Sequence, residues 1–289
     1  MPFGGKEAGY ANESTMGYFT STQALADYAT IIVDLKKTLK EKNCPVVVFG
    51  ASYGGMLAAS FCLKYPHLSF GVLASSVPIL NLDDIAPTYS FGSTITKDFR
   101  DTDKDALKDI LESNYIQAAT YDLEKIEGMC NAINSLPREA DTVSRIAATA
   151  NYMNRGQCLD LSPLNLTYNG WIWKYCMKMM FPISNRPGTM LRPSNFDFKS
   201  HSKECCHRYG VLPRQHWVTT EFGVHEMKTA LKDFGSNLIF SNGLRDPWSS
   251  GGVLANISES IVAITTEEGR KSEDIKPIAT DDPVWLKEQ

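Results

Sequence analysis

No run in the 289-residue chain approaches the ~18 uninterrupted apolar residues of a membrane-spanning helix, so membrane insertion is not expected. A long basic stretch is missing too. The 29 Lys and Arg stand against 33 Asp and Glu, a net charge of −4, which argues against nucleic acid or an anionic membrane as the main partner. The start, Met1-Pro2-Phe3-Gly4-Gly5-Lys6, has neither the basic cap nor the apolar core of a signal peptide. There is no C-x-x-C pair, so no metal site or redox dithiol is expected, and no motif calls for a cofactor. Internal repeats and low-complexity tracts are absent. Histidine is scarce, with five residues at positions 67, 201, 207, 216 and 225.

What remains is the composition of an ordinary globular chain, 43% hydrophobic and 21% charged, long enough for one large domain or two medium ones. Seven cysteines exceed the usual cytosolic complement, and five of them (Cys130, Cys158, Cys176, Cys205, Cys206) fall in the middle of the chain. Asn12, Asn165 and Asn256 open N-x-S/T sequons and are candidate glycosylation sites. Together these features lean towards an oxidising compartment. That sits oddly with a start that carries no secretory signal, and we expect the chain to be a shortened form.

Ser21-Thr22 reads as a helix N-cap, and Leu25, Tyr28, Ile31, Ile32, Leu35 and Leu39 then recur at helical spacing. Val46-Val47-Val48-Phe49 is a short apolar run of the kind found in buried parallel strands. A tight turn from Gly50 to Gly55 leads into a helix over Met56 to Tyr65, then a second buried strand over Phe70 to Ala74. Strand, helix, strand at this spacing is a parallel crossover. Sheet character returns at Asn237 to Phe240 and at Ile261 to Ile264. Between the second and third of these strands, charged helical segments such as Asp103 to Asn114 and Leu123 to Asn134 alternate with Pro-, Gly- and Cys-containing loops. These patterns predict an α/β core over 1–83 and 235–289, with a helical insertion over 84–234.

Gly50-Ala51-Ser52-Tyr53-Gly54 matches G-x-S-x-G between a predicted strand and a predicted helix. The chemistry needs a serine on a sharp turn, its hydroxyl raised above the sheet, with glycines two residues to either side where a Cβ would clash. The Tyr53 N–H would then point at a developing oxyanion. An acid belongs in the loop after a late strand, and Asp246 in Ser241-Asn242-Gly243-Leu244-Arg245-Asp246-Pro247-Trp248 fits that position. The base should be a histidine after the acid, and none follows Asp246. His216 and His225, shortly before the last strands, are the alternatives.

These residues resemble the prolyl carboxypeptidase and dipeptidyl peptidase II family. Gly50 to Ala59 is similar to the family's G-G-S-Y-G-G-M-L-A-A, and Ser241 to Val253 to its S-N-G-x-x-D-P-W-x-G-G-G-V. Tyr209 to Thr220 resembles Y-G-V-x-P-R-P-x-W-I-T-T. The likeness runs over roughly residues 1–98 and 150–269. It implies an α/β-hydrolase fold, mostly parallel in its sheet and incomplete at the N-terminus, with a disulfide-bonded helical cap. It also implies a lysosomal, vacuolar or secreted serine exopeptidase acting on peptides beside proline, in either the carboxypeptidase or the dipeptidyl peptidase direction. The resemblance leaves room for a homodimer.

By the same resemblance Ser52 is the nucleophile and Asp246 the acid. Met56, Trp248 and Phe181 line a proline pocket. Cys130 would pair with Cys158 and Cys176 with Cys205, leaving Cys206 unpaired. The family's histidine follows E-G in G-A-H-H, whereas Glu268-Gly269 here is followed by Arg270-Lys271-Ser272. The departure implies impaired turnover, or a non-catalytic product that keeps the pocket.

Overall fold

The computed structural model of the protein describes residues 2–83, 85–102, 112–121, 123–157, 170–222, 225–280 and 282–287. Two single-turn helices, α1 (Lys6–Gly9) and α2 (Glu13–Met16), precede α3 (Ser21–Thr38). The cap of α3 is Thr20, one residue before the expected pair, because its extended backbone turns the hydroxyl onto the Gln23 N–H. There follow β1 (Val47–Ala51), α4 (Tyr53–Lys64) and β2 (Gly71–Ser75). A helical region comprises α5 (Ser90–Thr102), α6 (Glu112–Tyr121), α7 (Leu123–Asn134), α8 (Thr142–Met153), α9 (Gly170–Met177), α10 (Phe198–Tyr209), α11 (Trp217–Phe222) and α12 (Met227–Phe234). Then come β3 (Leu238–Gly243), β4 (Ile261–Thr266) and a last turn of helix, α13 (Val284–Lys287).

The four strands form one parallel sheet in the order β1-β2-β3-β4. All four sequence-predicted strands are present, and the sheet agrees with an α/β-hydrolase-like fold. Parallel register stacks the C-terminal ends: Ala51 faces Ser75, Ser75 faces Ser241, and Asn242 faces Thr265. Residues in the loops after these strands therefore share one edge of the sheet.

Three apolar clusters account for the packing. The largest joins α4 (Met56, Phe61), β2, β3 and Ile261 with Val218, Phe222, Met227 and Leu231 of α11 and α12. A second, built from Phe91, Ile95, Phe99, Ile126, Met129 and Leu191, lies among α5, α6 and α7, and Ile183 and Trp248 pack against both. A third surrounds the Cys176–Cys205 disulfide and includes Met16, Trp173 and Tyr209. A division at 83/84 and 234/235 remains a proposal, and packing already crosses it. Val218, Phe222, Met227 and Leu231 lie in the main cluster, and Met16 lies in the disulfide cluster.

The Cys176–Cys205 bond is the pairing expected, and Cys206 is exposed and unpaired. Cys158 and Asn165 lie outside the described residues. Asn12 and Asn256 are exposed, although each side-chain oxygen accepts a backbone N–H, from Thr15 and Ala263 respectively. No helix among the described residues is long and apolar enough to cross a membrane.

The apolar face expected of α3 is largely bare. Leu25 is fully buried, but Tyr28, Ile31, Leu35 and Leu39 are exposed, because the helix overhangs the open edge of the sheet. Phe49 on edge strand β1 is 72% exposed. An apolar groove of about 360 Å³ runs between α3, β1 and α4. This contrast yields a prediction. Phe61→Ala, in the main core, should cost about 3–5 kcal/mol. Phe49→Ser should change stability by no more than about 0.5 kcal/mol. Urea unfolding followed by circular dichroism checks both, and equal losses would mean that the edge is covered in solution.

Candidate active site

The site begins at the turn from β1 into α4. Ser52 adopts φ 52° and ψ −123°, a left-handed conformation that a residue with a side chain rarely takes. Its N–H donates to the Ser75 carbonyl at 2.9 Å, and its carbonyl accepts the Met56 N–H at 3.0 Å. The turn is thus tied to the sheet on one side and to the helix on the other. A Cβ on Gly50 would lie 2.5 Å from the Gly54 carbonyl carbon and oxygen. A Cβ on Gly55 would lie 2.3 Å from Val77 Cγ2. Gly54 itself has open space, contrary to the expectation that both motif glycines are sterically required, because it faces the uncovered sheet edge. The second crowded position is Gly55.

Tyr53 is the first residue of α4, so its N–H is among the amides that the helix leaves without an internal acceptor. Its phenol has no hydrogen-bond partner among the described residues, and burial pushes its pKa up to about 12. The ring lies under Lys174 Nζ at 4.2 Å and meets Trp171 edge-on at 5.6 Å.

Asp246 follows β3 and caps a short 3-10 helix, Pro247–Gly251. The carboxyl is fully buried. One oxygen accepts the Trp248 N–H at 3.0 Å, and Oδ2 has no hydrogen-bond partner among the described residues. Burial raises its pKa to about 6, opposed by Lys271, by the Trp248 N–H, by the Ser76 hydroxyl and by Arg270.

Ser52 and Asp246 are linked by an aromatic wall. Tyr53 touches Trp171, Trp171 stacks on Phe181 at 6.3 Å, and Phe181 meets Trp248 edge-on at 5.7 Å. Trp248 in turn packs on Phe91 of α5 at 4.6 Å. Phe181 and Trp248, two of the three residues expected to line a pocket, are therefore in contact. Met56 is buried in the same main cluster as Phe181 and lines a small internal void with Tyr53, Leu82, Met179 and Val218.

The two candidate replacement histidines both face Asp83, not Asp246. The residue that sequence reasoning missed is Lys271. It is only 7% exposed, in the loop after β4, and its ammonium stands 5.4 Å from the centre of the Trp248 ring. Burial holds its pKa below the ordinary lysine range, while the charge of Asp246 works the other way. Its loop is clamped at several points. Arg245 N–H donates to the Gly269 carbonyl, and the Ser272 N–H donates to Ser76 Oγ at 2.7 Å. Arg270 is buried against Asp98 of α5 at 3.0 Å and donates to the Ala119 carbonyl of α6 at 2.7 Å. Chain order was the available signal, since Lys271 occupies the stretch after β4 where a triad places its base.

The profile of the family described as serine carboxypeptidase S28 matches residues 3–125 and 113–289. A lysosomal Pro-X carboxypeptidase of Mus musculus is 31% identical, the match covering 98% of this chain and 69% of that protein. The protein of the same description from Homo sapiens is 29% identical, with 98% and 68% covered. Prolyl carboxy peptidase like protein 5 of Caenorhabditis elegans is 25% identical, with 95% and 70% covered.

The buried Asp246 makes a prediction about pH. Its folded pKa is raised from 3.8 to about 6, so the folded chain binds more protons than the unfolded chain between those values. Its contribution is most favourable below about pH 4 and is lost as pH rises through 6, by on the order of 2–3 kcal/mol. Urea midpoints from pH 4 to 7 should fall more steeply for the native chain than for Asp246→Asn. Parallel profiles would mean that the carboxyl is solvated.

Proposed function

Because the chain belongs to the serine carboxypeptidase S28 family, we propose that it is a serine-type exopeptidase acting beside proline, with Ser52 as nucleophile and Asp246 as acid. The observation that carries this reading is the aromatic wall between the strained Ser52 turn and the buried Asp246. Phe181 and Trp248 offer an apolar, ring-shaped contact surface suited to a pyrrolidine. Lysosomal Pro-X carboxypeptidases among the relatives, together with the disulfide and the exposed Asn12 and Asn256 sequons, support a lysosomal or secreted setting.

In the proposed reaction Ser52 Oγ attacks the carbonyl carbon of the scissile bond while its proton passes to a base. The Tyr53 N–H donates to the resulting oxyanion. The carbon–nitrogen bond then breaks, the leaving amine takes the proton, and Ser52 is left as an ester of the acyl fragment. Water attacks that ester, its proton goes to the base, and Ser52 regains its hydrogen as the acid product leaves. Lys271 is the basic side chain facing Asp246, and in its neutral form it would take the base's position. A Ser–Lys pairing is chemically sufficient for acyl transfer. Burial moves Lys271 towards the neutral amine that the step needs, and the charge of Asp246 opposes it.

A lysine in place of a histidine after Asp246 gives low turnover for the native chain, and a histidine there should raise it. On a proline-containing dipeptide reporter at pH 5 to 7, Lys271→His should raise kcat/KM by roughly 10²- to 10⁴-fold, the usual contribution of a positioned general base. Ser52→Ala in the same background should abolish the gain. Native-level hydrolysis unaffected by Ser52→Ala would remove Ser52 from the mechanism. A second reading, a peptide-binding product without catalysis, is favoured by the absence of a histidine after Asp246. Calorimetric binding of a proline-containing peptide by the native chain, with no product formed before or after Lys271→His, would select it.

A further inference from the structure

Away from the Ser52 site, three side chains distant in sequence converge on one oxygen. Asp83 lies in the loop after β2, His216 immediately before α11, and His225 just before α12. His216 Nδ1 is 2.5 Å from Asp83 Oδ2, and His225 Nδ1 is 3.6 Å from the same atom. The two imidazole centres are 5.2 Å apart. One ligand atom from each residue lies within 4.8 Å of both others.

We propose that Asp83, His216 and His225 form a binding site for a divalent transition-metal ion of the zinc class. The Asp83 carboxylate is 1% exposed, and it sits on a backbone with φ 58°, a conformation that aspartate rarely takes without cause. The hydroxyl of Thr219, itself buried, donates to the same Oδ2 at 3.2 Å and fixes its orientation. Thr219 and His216 together already supply that oxygen with hydrogen-bond partners. They do not account for a second imidazole aiming Nδ1 at it from beyond hydrogen-bond range. A shared cation accounts for both.

The donor set also selects the ion. Two imidazoles and one carboxylate suit zinc, nickel or copper, whereas magnesium and calcium prefer oxygen ligands throughout. Zinc–nitrogen and zinc–oxygen bonds of about 2.0–2.2 Å at a tetrahedral angle separate neighbouring ligand atoms by about 3.3 Å. Binding therefore opens the Asp83–His216 contact slightly and closes the Asp83–His225 contact slightly, as the ion displaces the proton shared with His216. The histidine side chains are 50% and 56% exposed, so water has access to the remaining coordination position. The ion would cross-link the loop after β2 to α11 and to the segment leading into α12. It involves neither Ser52 nor Asp246 and does not rest on the peptidase reading.

Isothermal titration of the full chain with Zn²⁺ and with Mg²⁺ tests the site, alongside Co²⁺ absorption to report coordination geometry. The expected result is one Zn²⁺ per chain, tetrahedral-type Co²⁺ bands, no Mg²⁺ binding, and a higher melting temperature with Zn²⁺. His216→Ala and His225→Ala should each weaken Zn²⁺ binding at least tenfold, while Cys206→Ser, which removes an exposed thiol, leaves it unchanged. Both imidazoles are half-exposed, so these variants keep the fold. Absence of Zn²⁺ binding, or an affinity unmoved by both histidine variants, overturns the proposal.

Discussion

The close approach of residue 50 to residues 54 and 55 is the constraint from which the rest of the site follows. With no Cβ at either Gly50 or Gly55, α4 can start directly against the end of β1, and the connecting residue is forced to φ 52°. Such a conformation costs on the order of 1–3 kcal/mol. The cost is offset by what flanks it: the Ser52–Ser75 backbone bond on the sheet side, and on the helix side the burial of Met56, Leu57 and Phe61. Without that two-sided grip the turn would relax, and Ser52 would drop out of line with the loops after β2, β3 and β4.

A second anchor acts at the opposite end of the site. Arg270, buried against Asp98 and the Ala119 carbonyl, fastens the loop after β4 to α5 and α6. A buried pair of this kind adds little net stability, but removing one partner is costly, so its main effect is to fix position. It holds the backbone that carries Lys271 and so keeps that side chain out of water. The same helix α5 supplies Phe91 to the Trp248 ring. One helix therefore sets both the charge environment of Asp246 and the end of the aromatic wall, which makes the chemistry of the site dependent on how the helical region docks.

Much of this was legible in the sequence because the signals were local. The four strands are short apolar runs, and the Ser52 turn is a five-residue pattern whose cause is steric. Asp246 could be placed because it follows a strand by a few residues. Lys271 was harder. Nothing in Arg270-Lys271-Ser272 distinguishes a buried lysine from a solvated one, since its burial depends on Asp98 and Ala119, some 150 residues away in the chain. The same holds for His216 and His225, which were alternative bases although they precede Asp246 in the chain, but meet Asp83 across 133 residues or more. Long-range pairing of polar side chains leaves no periodic trace. Met56 was ambiguous for a different reason: a residue one helical turn after the nucleophile can face either the cleft or the core, and helical periodicity does not separate the two.

The α3 face shows how a correct local reading can still mislead. Leu25, Tyr28, Ile31, Leu35 and Leu39 do recur at helical spacing, and the helix forms where expected. Amphipathic spacing states only that a surface is fit for burial, not that a partner covers it. Here the stripe, with Val47 and Phe49, borders an open sheet edge and an apolar groove. The open edge reaches Gly54, which explains why that glycine alone in the turn is uncrowded. Since the crowding around Ser52 comes from the backbone of Gly50, Gly54 and Gly55 and from Val77, none of it from α3, the turn keeps its shape whether or not the outer edge is covered.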